Sequence, residues 1–271
     1  RPDEILLLTF TRKAAEEMLR RASSLLDERC QKVSGGTFHS FANAVLRKYA
    51  GLLGVSNNFT ILDRSDSEDA INLLRTKMGF NKTDKRFPRK RAITQAISIS
   101  VNKSVPIEKV LDDEYPQFIE WSDEIKRIND EYKKYKYSKS LLDYDDLLVY
   151  LRDLLERYED VRLALADKYK YIMVDEYQDT NKLQAYVVCL LASEHKNIMV
   201  VGDDSQSIYS FRGANFKNIM DFPKIFTGAK VITLEENYRS TQPILSMTNE
   251  VIRFAEEKFE KNLYTKKQGG K

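Results

Sequence analysis

The chain is poor in the residues that build several common kinds of site. Among its 271 residues are only two cysteines, Cys30 and Cys189, and two histidines, His39 and His195. That excludes a disulfide framework and an ordinary Cys/His zinc site, and a reducing, intracellular setting is the expected one. Only 10 residues are glycine, and none belongs to a G-x-x-x-x-G-K-[ST] phosphate loop. No apolar run approaches the ~18–20 residues needed to cross a membrane, and no secretory signal is visible. The net charge is small, +3 from 44 Lys and Arg against 41 Asp and Glu, which excludes a polybasic chain. What is present is an ordinary globular balance, 42% apolar and 31% charged, enough for one large or two ordinary cores.

The pattern changes along the chain. Ile5 to Phe10 is a short apolar run that reads as a buried strand. Thr11 then has the character of an N-cap for an amphipathic helix running to about Arg29. Val33 to Phe38 is a weaker strand candidate broken by Gly35-Gly36, and a second helix is expected from His39 to about Leu53. From about Phe59 to Ser140 helical periodicity persists with hardly any strand signal, and charge is dense, with 17 basic and 14 acidic residues. This part reads as a helical insertion. Strand signals return at Tyr171–Val174, Asn197–Val201 and Val231–Leu234, with helical stretches between them. Such alternation predicts an α/β fold with a mostly parallel sheet and ligands at the carboxyl ends of its strands. After Gln242 a helix to about Glu260 is expected, then a frayed basic end.

Asp175-Glu176, at the end of a predicted strand, is the most informative pair. One carboxylate there can hold Mg²⁺ beside a nucleotide's phosphates while the second orients and deprotonates an attacking water. Helix capping is the competing reading of an isolated Asp-Glu. Tyr209-Ser210-Phe211-Arg212 has its own logic: alternate aromatics beside an arginine stack bases and grip phosphate without regard to sequence, though an aromatic core strand gives the same pattern. The run Lys82–Arg91 holds six basic residues and one acidic. It is read either as a solvated face or as a phosphate contact.

Five strings occur in order: Thr9-Phe10-Thr11-Arg12-Lys13-Ala14-Ala15, Gly36-Thr37-Phe38-His39-Ser40, Val174-Asp175-Glu176-Tyr177-Gln178-Asp179-Thr180-Asn181, the segment Val200 to Ala214, and Glu236-Asn237-Tyr238-Arg239-Ser240-Thr241. As a set they resemble the UvrD/Rep/PcrA family of superfamily 1 DNA helicases. The resemblance implies a RecA-like P-loop NTPase motor domain with an inserted all-helical subdomain. The expected division is residues 1–58 and 141–241 in the first motor domain, 59–140 in the insertion, and 242–271 opening a second motor domain. It implies ATP and Mg²⁺ as cofactors. Asp175 resembles the metal-binding aspartate, Glu176 the general base, and Gln206 the glutamine that contacts the γ-phosphate. Arg239 resembles the arginine that reaches the same phosphate, and Tyr238 the aromatic that stacks on adenine. Bland alternatives are an Arg239 ion pair with Glu235 or Glu236 and a turn role for Gln206.

On the DNA side the resemblance singles out Phe10, Thr11 and Lys13, then Thr37, Phe38 and His39, then Tyr209, Phe211 and Arg212. Arg12 stands where asparagine is common, and Phe211 where many relatives have tryptophan. His39 is otherwise read as a structural histidine, and His195 only so. Asp143-Tyr144-Asp145-Asp146-Leu147-Leu148 resembles the segment where the family's chain re-enters the motor domain, its carboxylates being read as caps and surface charges. The implied activity is ATP-driven 3′-to-5′ movement on single-stranded DNA with duplex unwinding, in repair or replication, in the cytoplasm. The implied partners are single-stranded DNA, single-/double-strand junctions and the remainder of a helicase chain.

The family's phosphate loop and its later motor motifs are not in this sequence. A fragment with little activity of its own, and with an unpaired sheet edge, is therefore expected. An AddA- or RecB-type helicase–nuclease subunit and a non-hydrolysing DNA-binding module are the alternatives. Charge divides unevenly: residues 1–140 carry 26 basic and 20 acidic groups, and residues 141–271 carry 18 and 21.

Overall fold

The computed structural model describes residues 1–80, 87–209, 213–267 and 269. Its centre is a parallel sheet. Strand β1 (Ile5–Thr9) carries Leu6, Leu7 and Leu8, all nearly inaccessible, as a strand covered on both faces requires. Thr11 closes it and caps helix α1 (Arg12–Leu25), its hydroxyl accepting from the Ala14 N–H at 3.1 Å. The helix stops before the expected Arg29, and a short 3-10 turn, Glu28–Lys32, leads into β2 (Ser34–Thr37). Gly35 and Gly36 do not break this strand. A Cβ on Gly35 would lie 2.7 Å from Leu19, so the glycine lets α1 approach the sheet. Helix α2 (Phe38–Tyr49) follows, capped by Thr37, and turns into a 3-10 segment, Ala50–Leu53.

A two-residue strand, β3 (Thr60–Ile61), precedes α3 (Arg64–Lys77), α4 (Lys90–Lys103), α5 (Ile107–Glu114) and α6 (Ser122–Ser138); β4 (Leu141–Leu142) then pairs with β3 in parallel. This small ladder was not foreseen. It ties the two ends of the helical stretch together. These helices bury a cluster of their own, centred on Ile71, Ile93, Leu111, Ile128 and Tyr132.

The chain returns through α7 (Tyr144–Arg157) and α8 (Glu159–Lys168) to β5 (Tyr171–Val174), α9 (Lys182–Ala192) and β6 (Ile198–Val200). Asp143 caps α7 in a reciprocal box with Asp146, so the capping reading of these carboxylates holds; the surface-charge reading does not, because Lys136, only 7% exposed, bridges both and draws them inward. Leu147, Leu148, Leu151, Leu154 and Leu155 recur at helical spacing and are all buried, the apolar stripe that packs α7 against α2 and α9. The sheet order is β2-β1-β5-β6, every neighbour parallel. Helices α10 (Lys217–Ile225) and α11 (Gln242–Arg253) complete the described elements.

Two further expectations need correction. Val231–Leu234 forms no strand, and Val231, Ile232 and Leu234 are 54%, 68% and 78% exposed. An apolar β-branched run becomes a strand only where a neighbour completes its ladder, and none of the described strands pairs with it. The final helix ends at Arg253 rather than near Glu260. Beyond it come a turn and a bend and then irregular chain, in which Tyr264 makes a parallel bridge to Glu236.

Candidate functional site

The carboxyl ends of β1, β5 and β6 converge on one edge of the sheet. Asp175 leaves β5 with its N–H donating to the Leu8 carbonyl at 2.9 Å, which fixes it beside β1. Burial, and then the neighbouring Glu176 charge, push its carboxyl above the usual carboxylate range. Glu176 adopts φ 51°, ψ 45°, a left-handed conformation uncommon outside glycine. Its carboxylate is exposed, and its Oε2 accepts from Gln178 Nε2 at 2.8 Å.

Two adjacent carboxylates at a strand end, one held above its ordinary pKa, form a donor set that a divalent cation relieves. Among the described residues no three His, Cys, Asp or Glu side chains gather as a metal cluster. A cation here would complete its shell with water or phosphate oxygens, as Mg²⁺ ordinarily does.

Gln178 is the residue that sequence reasoning missed. It is 1% exposed. Besides holding Glu176, it accepts the Asp203 N–H at 3.1 Å through Oε1, and its carbonyl accepts from the Ser207 hydroxyl at 3.3 Å. It therefore joins the end of β5 to the loop after β6. Its place in the Asp175–Asn181 string was the available signal, but the two distant contacts that give it a role were not legible. Gly202 makes room for it: a Cβ there would sit 2.4 Å from Gln178 Oε1 and 3.2 Å from the Tyr177 nitrogen.

Gln206 lies on that loop, exposed, with its Nε2 donating to Asp203 Oδ2 at 2.7 Å. Burial raises the Asp203 carboxyl, but Lys261 and Gln206 outweigh it and hold the group below the usual range. Tyr238 is 82% exposed, so its ring face is open for stacking. Arg239 is exposed as well, and it pairs with neither Glu235 nor Glu236. Glu236 instead takes Lys266 at 3.0 Å, and Glu235 accepts the Asn262 N–H at 2.7 Å. The competing ion-pair reading of Arg239 is thereby removed.

The other predicted residues divide. Phe10 and Tyr209, 199 positions apart, stack with ring centroids 5.4 Å apart and planes 26° apart. Thr11 and Thr37 cap α1 and α2, and Lys13 is exposed on the first turn of α1. Phe38 is 3% exposed and its ring belongs to the main core, so the side chain serves packing. His39 is partly covered, edge-on to Tyr144 at 5.9 Å, and burial lowers its pKa. His195 is structural: its Nδ1 accepts from the Asn197 N–H at 3.0 Å, so Nε2 carries the proton and donates to the Tyr169 carbonyl at 2.9 Å. Phe211 and Arg212 lie outside the described residues, as do Lys82, Lys85 and Arg86 of the basic run. Of that run, Lys90 is engaged with Asp69 at 2.5 Å.

The family model described as UvrD/REP helicase N-terminal domain matches residues 1–227. A protein of Staphylococcus epidermidis named ATP-dependent DNA helicase PcrA is 38% identical over 272 residues, covering 99% of this chain and 36% of its own length. A Staphylococcus aureus protein of the same name is 37% identical with the same coverage. The chain thus spans about a third of the length of these curated relatives. With the carboxylate pair, the Gln206 loop and the Phe10–Tyr209 stack arranged on one sheet edge, and the family model matching most of the sequence, the chain belongs to the UvrD/REP helicase family.

Proposed function

We propose that this chain is part of a motor that couples ATP hydrolysis to 3′-to-5′ movement along single-stranded DNA and to opening of single-/double-strand junctions. The observation that carries the reading is the loop after β6. Gln206 on it is tied through Asp203 and Gln178 to Glu176, and Tyr209, three residues later, stacks on Phe10. One short loop therefore joins a carboxylate pair suited to nucleotide chemistry to an aromatic pair suited to stacking bases. A loop so anchored transmits a change at one end to the other.

In this reading Asp175 would hold Mg²⁺, which when bound neutralises charge on the phosphate oxygens. Glu176 accepts the proton of the attacking water, a role supported by its exposed carboxylate and the Gln178 bond that steers it. Gln206 contacts the γ-phosphate. Arg239, free of its neighbouring glutamates, offsets the charge that develops there. Tyr238 stacks on adenine. Phe10, Tyr209, Phe211 and Arg212 grip the single strand, and Thr11, Lys13, Thr37 and His39 contribute to the same DNA contact.

The domain reading follows the same lines. Residues 1–58 and 141–241 form a RecA-like motor domain, 59–140 an inserted helical subdomain, and 242–271 the start of a second motor domain. The separate buried cluster of the helices and the β3–β4 pair at their base support it. Among the described residues β6 has no outer neighbour and Val231–Leu234 no strand partner; this edge, where Met199 is 50% exposed, offers a place for a further strand. Without a phosphate loop, the 271-residue chain alone turns over little ATP.

The test is a strand-displacement assay on the full-length protein with 3′-tailed and 5′-tailed duplexes. ATP-dependent opening of the 3′-tailed substrate is expected. Opening of neither, or equal opening without ATP, contradicts the reading. A coupled assay on the isolated chain is expected to show almost no turnover, and brisk DNA-stimulated hydrolysis contradicts that part.

A further inference from the structure

The segment after α11 folds back across the Gln206 loop, and one residue of it carries an unexpected share of the contacts. The Lys261 side chain is only 9% exposed. Its ammonium bonds Asp203, and it bonds Asp204 Oδ1 at 2.8 Å. The Asp204 side chain is itself 6% exposed, and its second oxygen accepts the Phe259 N–H at 3.4 Å. Asp203 in turn accepts from Gln206, and its N–H reaches Gln178, which holds Glu176. Removing this ammonium leaves the buried Asp204 carboxylate, and the partly exposed Asp203 beside it, without their shared counter-charge.

The same segment is fastened on its other side to the loop that bears Tyr238 and Arg239. The Tyr264 N–H donates to the Glu235 carbonyl at 3.0 Å, and the Asn237 N–H donates to the Tyr264 carbonyl at 2.8 Å. Lys267 Nζ donates to the Arg239 carbonyl at 3.0 Å. Within residues 261–267 the chain thus grips both the loop of Gln206 and the loop of Arg239.

We propose that Lys261 is a positioning residue that sets the distance between Gln206 and Arg239 by clasping Asp203 and Asp204. The inference rests on the reading of Glu176, Gln206 and Arg239 as hydrolytic groups. The Lys261 ammonium is engaged by Asp203 and Asp204. It acts by holding two loops in register, the kind of support whose loss misplaces reacting groups without removing them.

The test is steady-state ATP hydrolysis by the full-length protein, saturated with single-stranded DNA, for the wild type, Lys261→Met and Lys261→Arg. Lys261→Met is expected to lower kcat roughly tenfold to a hundredfold, the cost of a misplacement near 1 Å, while KM for ATP stays within about twofold because the phosphate-binding groups remain. Lys261→Arg, which keeps the charge and can reach both carboxylates, is expected to recover most of the rate. A wild-type kcat for Lys261→Met, or an equal loss for Met and Arg, overturns the proposal. So does a fall in kcat that a proportionate fall in folded protein, measured by circular dichroism, accounts for. If Lys261→Met does not fold, Asp204→Asn removes half the clasp and is read the same way. A wild-type protein without ATPase activity defeats the functional reading itself, whereas an active wild type with an unaffected Met variant defeats only the role of Lys261.

Discussion

Glu176 departs from ordinary backbone geometry at φ 51°, a conformation that costs a non-glycine residue on the order of 1 kcal/mol. The strain turns the carboxylate to where Gln178 Nε2 meets it. Gln178→Ala releases both Glu176 and the Asp203 N–H, so DNA-stimulated turnover should fall by about tenfold or more, whereas a wild-type rate would show that Glu176 needs no such support. Gly202→Ala should destabilise the fold by about 1–3 kcal/mol, since a Cβ there meets backbone as well as side chain; denaturant unfolding measures this, and a cost within error of zero contradicts it. Phe10→Ala and Tyr209→Ala should each weaken single-strand binding by about 1–3 kcal/mol. Because the rings touch each other, the double variant should lose less than the sum. Strict additivity in a binding titration would show that they act on different bases. The Asp175–Glu176 doublet was legible because a strand followed by two carboxylates is a local pattern. Gln178 and Lys261 were not, because each acquires its role from partners 25 to 58 positions away.

Helices α4, α6 and α7 meet over a set of buried charges. Lys136, 7% exposed, bridges Asp143 at 2.5 Å and Asp146 at 2.6 Å, and the Tyr132 hydroxyl donates to Asp143 at 3.0 Å. Asp145, beside them, accepts from Asn102 Nδ2 at 2.8 Å, and Asn102 Oδ1 accepts from Asn181 Nδ2 at 2.6 Å. Burial, then the Asp143 charge, raise Asp145 to about 6. A carboxyl raised in the folded state binds its proton there while the unfolded chain has lost its own, so stability falls as pH rises from about 4 to about 6. Asp145→Asn, which keeps an acceptor for Asn102, should stabilise the protein at pH 7.5 by on the order of 2 kcal/mol and hardly at pH 4. Thermal unfolding at the two pH values checks this, and an equal effect at both contradicts it. The helices themselves were read from apolar spacing and caps such as Thr11 and Asp143. Val231–Leu234 was misread because an apolar run reports burial in a sheet only if a partner strand exists, and periodicity within the run carries no information about that partner.

At the scale of the molecule, the helices of residues 64–138 have their own core, while the β2-β1-β5-β6 sheet is covered by α2, α7 and α9. The basic excess falls in residues 1–140 and the acidic excess in residues 141–271. No helix among the described residues is long and apolar enough to cross a membrane. The central claim is that Glu176 carries the hydrolytic step of a DNA-driven motor. The most direct measurement is single-strand-stimulated ATP turnover by the full-length protein with Glu176→Gln, alongside ATP and DNA binding by the same variant. Turnover is expected to fall by roughly 10²- to 10⁴-fold, the usual share of a general base, with both ligands still bound. A variant that hydrolyses ATP at the wild-type rate while binding both would contradict the account.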